Sequence, residues 1–134
     1  MSSEQKIKEA FNRSVKALSL KPSLGLDTRI SKARITDGLS CEITEGNWKL
    51  MADMPAAAGG NGSAPTPGVY GRAALGSCLA IAYKMYAVKM NIPIDALEIE
   101  VQADFDDGGL FGTSTTPAGY TEVRYIITVK SNAG

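Results

Sequence analysis

Apolar residues near the start of the chain recur at the spacing of an α-helix. Ile7, Phe11 and Val15 fall on one side of such a helix, and periodic charged residues occupy its other sides. A serine at the beginning of the segment offers an N-cap ahead of an acidic residue. The pattern predicts an amphipathic helix over residues 3–20.

Short strands separated by turns are predicted between residues 28 and 54. Two turn signals divide this segment, Asp-Gly at 37–38 and Glu-Gly-Asn at 45–47. The stretches LSCEIT and WKLMAD alternate well enough to form a hairpin. Cys41 falls on the first of these strands with nothing nearby to activate its thiol, so we expect it to have a structural role.

The most apolar segment of the chain follows a loop rich in glycine and proline, residues 55–66. The next residues predict a long helix over 67–90 that Thr66 caps, that Pro67 opens and that ends before Asn91. Apolar residues occupy nearly every side of this helix, which predicts that it is buried from several directions. Three basic residues and many small ones disfavour a membrane span.

Two further strands follow the long helix. Residues 97–104 alternate apolar side chains with acidic or polar ones, which predicts a strand with one buried face. A flexible loop leads to a second strand, residues 122–130, whose Arg124 and Lys130 can face the acidic side chains of the first. We expect the two strands to pair antiparallel.

The composition fits a single globular domain, residues 1–134, in the cytoplasm. Of the 134 residues, 44% are hydrophobic and 21% are charged. The N-terminal residues lack the apolar core of a secretory signal, and two cysteines without a disulfide framework suit a reducing compartment. Fourteen basic residues balance fourteen acidic ones, so no overall attraction to nucleic acid or to an anionic membrane is expected.

The absence of histidine removes several kinds of chemistry. It excludes Cys–His and Ser–His–Asp catalysis within one chain and the familiar zinc sites that contain histidine. Two cysteines alone cannot form a four-cysteine metal site. The glycine-rich loop lacks the Gly-Lys-Ser/Thr of a phosphate loop, and Pro65 stands where a dinucleotide fingerprint needs a third glycine. We therefore expect neither a metal nor an organic cofactor.

Cys78, near the middle of the long helix, allows two interpretations. Gly71, Ala74, Cys78 and Ala82 form a side of small residues, which leaves room either for a closely packed neighbour or for a ligand beside the sulfur. Free cysteine is commonly a buried hydrophobic residue. A reactive thiolate would instead need a cation from elsewhere in the molecule, because the middle of a helix gains little from the helix dipole.

The segment DMPAAAGGNGSAPTPGVYGRAALGSCLAIA resembles the core of the OsmC/Ohr family of osmotically inducible and organic hydroperoxide resistance proteins. The similarity includes Asp53 and Pro55 in an Asp-x-Pro motif, the Gly59-Gly60 pair, a helix opened by proline, and the run from Ala74 to Cys78. It extends in order over residues 28–130 and is that of a short, atypical member.

The resemblance implies an α+β fold that forms an intertwined homodimer. Each chain would contribute a long buried central helix, here residues 67–90, and antiparallel sheets that wrap around the partner. Such a dimer would account for an apolar helix of this length in so short a chain.

The resemblance also implies a catalytic cysteine and an arginine. The family's cysteine on this helix attacks the O–O bond of a small organic hydroperoxide, expels an alcohol and becomes a sulfenic acid, which an external thiol then reduces. Cys78 matches that cysteine. An arginine from the N-terminal strands, supplied by the partner chain, holds the thiolate; Arg34 is the nearest candidate and Arg29 a substitute. The alternative is a non-catalytic OsmC-like dimer that binds a small apolar ligand or has a structural role.

Two departures from the family pattern favour that alternative, whereas the run from Ala74 to Cys78 favours the peroxidase, which is the function that we expect. The hydroperoxide reductases carry a glutamate just after the proline that opens the helix, and this chain has Gly68 there. The family also continues past the last strand with a helix that carries a resolving cysteine, whereas this sequence ends after residues 122–130. We expect a shortened form, or replacement of that helix by residues 3–20. Cys41 is a poor resolving partner for Cys78, because a disulfide needs Cα atoms within about 7 Å of each other.

Overall fold

A computed structural model describes residues 1–133 of the chain. Within that range it contains two antiparallel sheets, three α-helices and short 3-10 turns at Pro22–Gly25 and Ala56–Ala58. In chain order the elements are α1 (Ser3–Leu20), β1 (Lys32–Ile35), β2 (Cys41–Glu45), β3 (Trp48–Ala52), α2 (Pro67–Lys89), β4 (Ala96–Phe105), α3 (Asp107–Phe111) and β5 (Tyr120–Lys130).

These elements give the α+β class with antiparallel sheets that the sequence predicts. α1 covers residues 3–20, α2 begins at Pro67, and β2 and β3 form the expected hairpin. α3 lies in a segment for which the sequence predicted only a flexible loop. Its start is capped by Asp106, whose carboxylate accepts from the Gly108 N–H at 2.8 Å.

The chain divides into two compact units. The first contains residues 1–16 together with those from 72 onward, and the second contains residues 17–71. The organisation as a single domain stays a prediction.

β4 and β5 pair antiparallel in the first unit. Leu97 lies opposite Val129 on one side of the pair. On the other side, Arg124 donates from Nη1 to Asp104 and to Glu122, each at 2.7 Å. These carboxylates, with the hydrogen bond to Asp104 as the largest cause, raise the pKa of Arg124 further above its ordinary value. The guanidinium therefore belongs to this ionic cluster on the sheet.

α2 contacts both β4 and α1 within the first unit. A Cβ atom added at Gly76 would lie 3.2 Å from Val101 Cγ2, so helix and strand approach closely at this glycine. On another side of the helix, the rings of Phe11 and Tyr86 meet edge to face with centroids 5.2 Å apart. Lys89 Nζ lies 4.8 Å from the centroid of the Phe11 ring.

Asn91 ends α2 by adopting the left-handed backbone conformation, with φ of 59°. The Ile92 N–H donates to Ala87 O at 2.8 Å, and the Asn91 N–H donates to Val88 O at 3.1 Å. This pattern satisfies carbonyls that the last helical turn would otherwise leave unpaired. Lys8 Nζ donates to Asn91 Oδ1 at 2.6 Å, so α1 also contacts this end of the helix.

β1, β2 and β3 form the sheet of the second unit, with β2 in the middle. Arg34 lies opposite Glu42, and Ile35 lies opposite Cys41, in the register of β1 and β2. The turn between β2 and β3 places Gly46 at φ of 57°, which glycine adopts without the clash that a Cβ atom causes.

Few side chains are buried by the chain itself. Among the described residues, the buried apolar ones are Ala52, Ala87 and Val88. Much of α2 is exposed, including Ile81 at 61% and Tyr86 at 56%. Burial of α2 from several directions stays a prediction, because β4 and α1 cover only part of its surface. No helix within residues 1–133 is long and apolar enough to cross a membrane.

Candidate functional site

Cys78 lies near the middle of α2, and its side chain is exposed in the single chain. Successive residues of an α-helix turn by about 100°, so Cys78 lies about 160° around the axis from Gly76. Because Gly76 faces Val101 of β4, Cys78 points away from that strand. Ala74, one turn earlier on the same side, is also exposed. The side of α2 that carries small residues, Cys78 among them, is therefore not the side that packs on β4.

The basic residues of α2 nearest to Cys78 project from other sides of the helix. Arg72 and Lys84 are each six residues away, which is about 9 Å along the helix axis and about 120° around it. Arg72 lines a cleft of about 480 Å³ between α2 and β4, on the side opposite Cys78. Lys84 donates to Glu4 Oε1 and to Ile94 O, each at 3.4 Å. If Cys78 is a thiolate, a cation that holds it would therefore come from another element; that Cys78 is a thiolate stays a prediction.

The two arginines proposed for this task lie in the second unit, whereas Cys78 lies in the first. Arg29 Nε donates to Asp27 Oδ2 at 3.2 Å, and both side chains are exposed. Arg34 is exposed on β1. The pairing of either arginine with Cys78 stays a prediction.

A polar cleft of about 310 Å³ borders Arg34 in the second unit. It brings one guanidinium together with two carboxylates, those of Asp37 and Glu42. Lys49 Nζ lies 3.1 Å from Glu42 Oε2, so Glu42 is already paired with a cation from β3. The residues that line the cleft are Arg34, Thr36, Asp37, Ser40, Glu42, Met51 and Asn61.

Cys41 is half-buried on β2, between Ile35 of β1 and Ala52 of β3 in the register of the sheet. Both cysteines are free. The structural role expected of Cys41 stays a prediction. Within residues 1–133, no three Cys, Asp or Glu side chains are grouped so that they could hold a metal ion.

Asp53 is a buried carboxylate, only 1% exposed, just after β3. It accepts hydrogen bonds from the backbone N–H groups of Met54, Asn61 and Ser63 at 2.7, 3.2 and 3.1 Å, and from the Ser63 hydroxyl at 2.6 Å. Donors of this kind favour the charged form. The Ser63 hydroxyl is the largest cause, and together these donors lower the pKa of Asp53 to about 2. Asp53 is thus buried within the loop that follows it, and these hydrogen bonds hold the loop in place.

Gly60 permits the tight path of this loop. A Cβ atom at position 60 would lie 2.0 Å from Met54 O and 2.7 Å from Asp53 Oδ1, so no side chain fits there. Met54 O also accepts from the Gly62 N–H at 3.0 Å. The Asp-x-Pro and Gly-Gly features of the sequence are thereby explained as parts of one loop geometry.

The same loop is tied to β3 as it enters α2. The Asp53 N–H donates to Pro65 O at 3.1 Å. The Tyr70 hydroxyl, in the first turns of the helix, donates to Met51 O at 2.6 Å. These bonds lie within the second unit and fix where α2 begins.

Comparison with known proteins identifies the family. Residues 60–134 match a family model described as OsmC-like protein. Since this match covers more than half of the chain, the chain belongs to the OsmC-like protein family, as its sequence motifs indicate.

Two solved structures share the fold. One is an osmotic stress induced and detoxification response protein from Psychrobacter arcticus 273-4, with a TM-score of 0.61, 22% sequence identity, and coverage of 81% of this chain and 75% of that chain. The other is an organic hydroperoxide resistance protein, OsmC, from Legionella pneumophila, with a TM-score of 0.55, 22% identity, and coverage of 81% and 74%. At this identity the likeness concerns the fold alone. No curated protein matches the sequence.

Sequence reasoning missed the hydrogen bonds of Asp53 and the position of Glu42 opposite Arg34. Asp53 was noted only as part of a motif, although an aspartate directly before a glycine-rich loop is a common signal for a side chain that bonds to the backbone of that loop. Glu42 was not singled out from the sequence. The signal for its place opposite Arg34 was the turn, because both residues lie four positions from Gly38.

Gly60→Ala is expected to destabilise the protein strongly, because its new Cβ would overlap the Met54 carbonyl. Overpacking of this kind costs about 3 kcal/mol in free energy of unfolding. Gly119→Ala is the matched control, since a Cβ atom there meets nothing within 4 Å; its effect should stay within about 0.5 kcal/mol. Urea unfolding followed by circular dichroism measures both. Equal effects of the two substitutions would contradict the close approach at Gly60.

Asp53→Asn is expected to destabilise the protein at neutral pH but progressively less in acid. The folded-state pKa of Asp53, about 2, lies below the unfolded value of about 3.9. The stabilisation by this carboxylate is therefore fully present above about pH 4 and is lost as the pH falls from there towards 2. Thermal unfolding of wild type and variant between pH 7 and pH 2.5 tests this. Asp107→Asn, at an exposed position, is the control, and a wild-type advantage over Asp53→Asn that stays constant with pH would contradict the assignment.

Proposed function

We propose that the protein is a thiol-dependent peroxidase that reduces organic hydroperoxides through the thiolate of Cys78. The observation that carries this proposal is the position of Cys78, an exposed free thiol on α2 that points away from β4, in a chain of the OsmC-like family. The fold is similar to that of an organic hydroperoxide resistance protein, which supports this choice of substrate class.

The reaction begins when the Cys78 thiolate attacks one oxygen of the hydroperoxide. A sulfur–oxygen bond forms as the O–O bond breaks, so the sulfur is oxidised by two electrons to a sulfenic acid and the peroxide is reduced. The departing alkoxide takes up a proton and leaves as an alcohol. An external thiol then condenses with the sulfenic acid, which releases water and forms a mixed disulfide. A second external thiol restores Cys78 and leaves as the oxidised disulfide.

We assign the cation at this thiolate to Arg34, supplied by the partner chain. A guanidinium has five N–H donors in a fixed plane, so it can donate to the thiolate and to a peroxide oxygen at the same time. Arg34 has its guanidinium exposed on β1. Arg29 is the substitute, and its present bond to Asp27 makes it the weaker choice.

We also propose that the protein acts as a homodimer in the cytoplasm. Large apolar side chains stay exposed in the single chain along α2 and β5, among them Ile81, Tyr86 and Ile127. Extended apolar surface of this kind is typical of subunit interfaces. A second copy would cover this surface and the Cys78 side of α2. A reducing compartment would keep the thiol available, and the balanced charge favours neither nucleic acid nor membrane as a partner.

An apolar cleft favours one alternative, a non-catalytic dimer that binds a small apolar molecule. The cleft has a volume of about 470 Å³ and lies between α1, α2 and the start of β4 in the first unit. Ile7, Ile81 and Met85 are among the side chains that line it. In this alternative, Cys78 of the folded protein resists alkylation, and hydroperoxide is consumed no faster than by free cysteine.

Cys78→Ser is expected to abolish the reduction of cumene hydroperoxide in the presence of dithiothreitol, because the nucleophile is lost. Arg34→Ala should lower kcat/KM roughly 100-fold, the usual cost of removing a donor to a developing charge. Cys41→Ser and Arg29→Ala are the matched controls and should retain activity. Residual hydroperoxide can be measured by its oxidation of ferrous iron. A wild-type rate no better than that of free cysteine would support the non-catalytic alternative.

In solution the protein is expected to have twice the 14.1 kDa mass of the chain. Ile81→Asp should shift it towards the monomer, because a carboxylate would enter the apolar interface on α2. Leu24→Asp introduces the same charge at a similarly exposed position, 59% against 61%, and should leave the dimer intact. Sedimentation equilibrium at micromolar concentration distinguishes these results. A monomeric wild type would contradict the dimer.

A further inference from the structure

We propose that Glu42 is a positioning residue that orients the Arg34 guanidinium towards the thiol. This inference rests on the proposed function and adds a residue to it. It follows from the register of the three-stranded sheet and from the absence of any acidic residue in α2, residues 67–89. A carboxylate that orients Arg34 therefore has to come from a different element.

The register places Glu42 directly opposite Arg34. The two residues are paired across β1 and β2. In an antiparallel pair, opposite residues project from the same face of the sheet, with Cβ atoms about 5 Å apart. Both side chains also line the same cleft of about 310 Å³. A carboxylate at this distance can accept a hydrogen bond from one edge of the guanidinium in several rotamers of the arginine.

Glu42 lies on the middle strand between two cations. Arg34 is its neighbour on β1, and Lys49 on β3 contacts its Oε2 at 3.1 Å. In that register Lys49 is the diagonal neighbour, because Glu42 itself is paired with Met51. Lys49 thus restrains the carboxylate from one side and leaves its second oxygen able to accept from Arg34.

Of the two arginines proposed to hold the thiolate, Arg34 is the one whose N–H donors are not engaged in an ion pair. Within residues 1–133, Arg34 forms no ion pair with another side chain, whereas Arg29 is paired with Asp27, and Arg124 with two carboxylates. An exposed arginine without a partner samples many rotamers, which costs free energy when it has to be held at one place. A bond from Glu42 to one edge of the guanidinium would reduce that cost and leave the other edge for the thiolate and the peroxide.

Asp37 is the competing carboxylate, since it lines the same cleft from the turn between β1 and β2. It is a neighbour of Gly38, which has φ of 58° in that turn. Glu42 is the better candidate because its backbone is fixed in the central strand and faces Arg34 in register. The charged groups around Glu42 are thus Arg34, Lys49 and Asp37, and the test has to separate them.

The experiment compares Glu42→Gln with two matched variants in the full-length protein. Glu45→Gln removes a carboxylate from the same strand but from its opposite face, because Glu45 is three residues further on and is paired with Trp48. Asp37→Asn removes the competing carboxylate. Glu42→Asp keeps the charge and tests for rescue. Two quantities are measured, the pH profile of hydroperoxide turnover and the water exchange of the Arg34 Nε–H in NMR, which Arg34→Lys assigns.

Glu42→Gln is expected to lower kcat/KM roughly tenfold, mainly through kcat, because misplacing a catalytic group costs transition-state stabilisation. The variant should move the rising limb of the pH profile of turnover to higher pH. It should also speed the exchange of the Arg34 Nε–H with water. Glu45→Gln and Asp37→Asn should match wild type in both measurements, and Glu42→Asp should recover part of the loss.

Several results would overturn the inference. A field effect alone predicts the opposite sign, since removing an anion beside Arg34 would raise activity and shift the pH profile downwards. Unchanged Nε–H exchange in Glu42→Gln, or a loss seen in Asp37→Asn instead, would also contradict it. If turnover needs Arg34 but not Glu42, only this inference fails. If wild type and Arg34→Ala turn over hydroperoxide alike, the assignment of Arg34 fails and the positioning role of Glu42 fails with it. If wild type consumes hydroperoxide no faster than free cysteine, the proposed function itself fails.

Discussion

The close contact between Gly76 and Val101 decides which way Cys78 faces. α2 lies against β4 at this glycine, and the turn of the helix then places Cys78 on the far side. From residue 74 to residue 82, one turn to either side of the thiol, α2 carries no charged side chain. In the proposed function, the groups that make the thiol reactive therefore come from another element or another copy of the chain.

The structure of the loop before α2 explains residues on which the resemblance to the family rests. Asp53 is an internal anion that accepts four hydrogen bonds from its own loop, and Gly60 allows the backbone to pass close to Met54. Both roles are contacts within the loop itself. The Asp-x-Pro and Gly-Gly features of the sequence thus report how the chain enters α2, while the proposed chemistry depends on Cys78 further along the helix.

The sequence predicted regular elements well because their periodicity is local. The pairing of β4 with β5 followed from alternation that the register confirms. α3 was missed because its cap at Asp106 and the approach of Gly109 to the Thr116 carbonyl are set by the path of the loop. The exposure of α2 could not be predicted either, since an apolar pattern indicates that a helix will be covered without indicating which chain covers it.

The rate at which iodoacetamide alkylates Cys78 at pH 7, measured in a Cys41→Ser protein, tests most directly whether this thiol is activated by a cation. We predict a rate roughly tenfold above that of free cysteine, because a neighbouring guanidinium favours the nucleophilic thiolate. Arg34→Ala should bring the rate down towards that of free cysteine, because that cation is lost. A rate equal to that of free cysteine in both proteins would contradict the central claim.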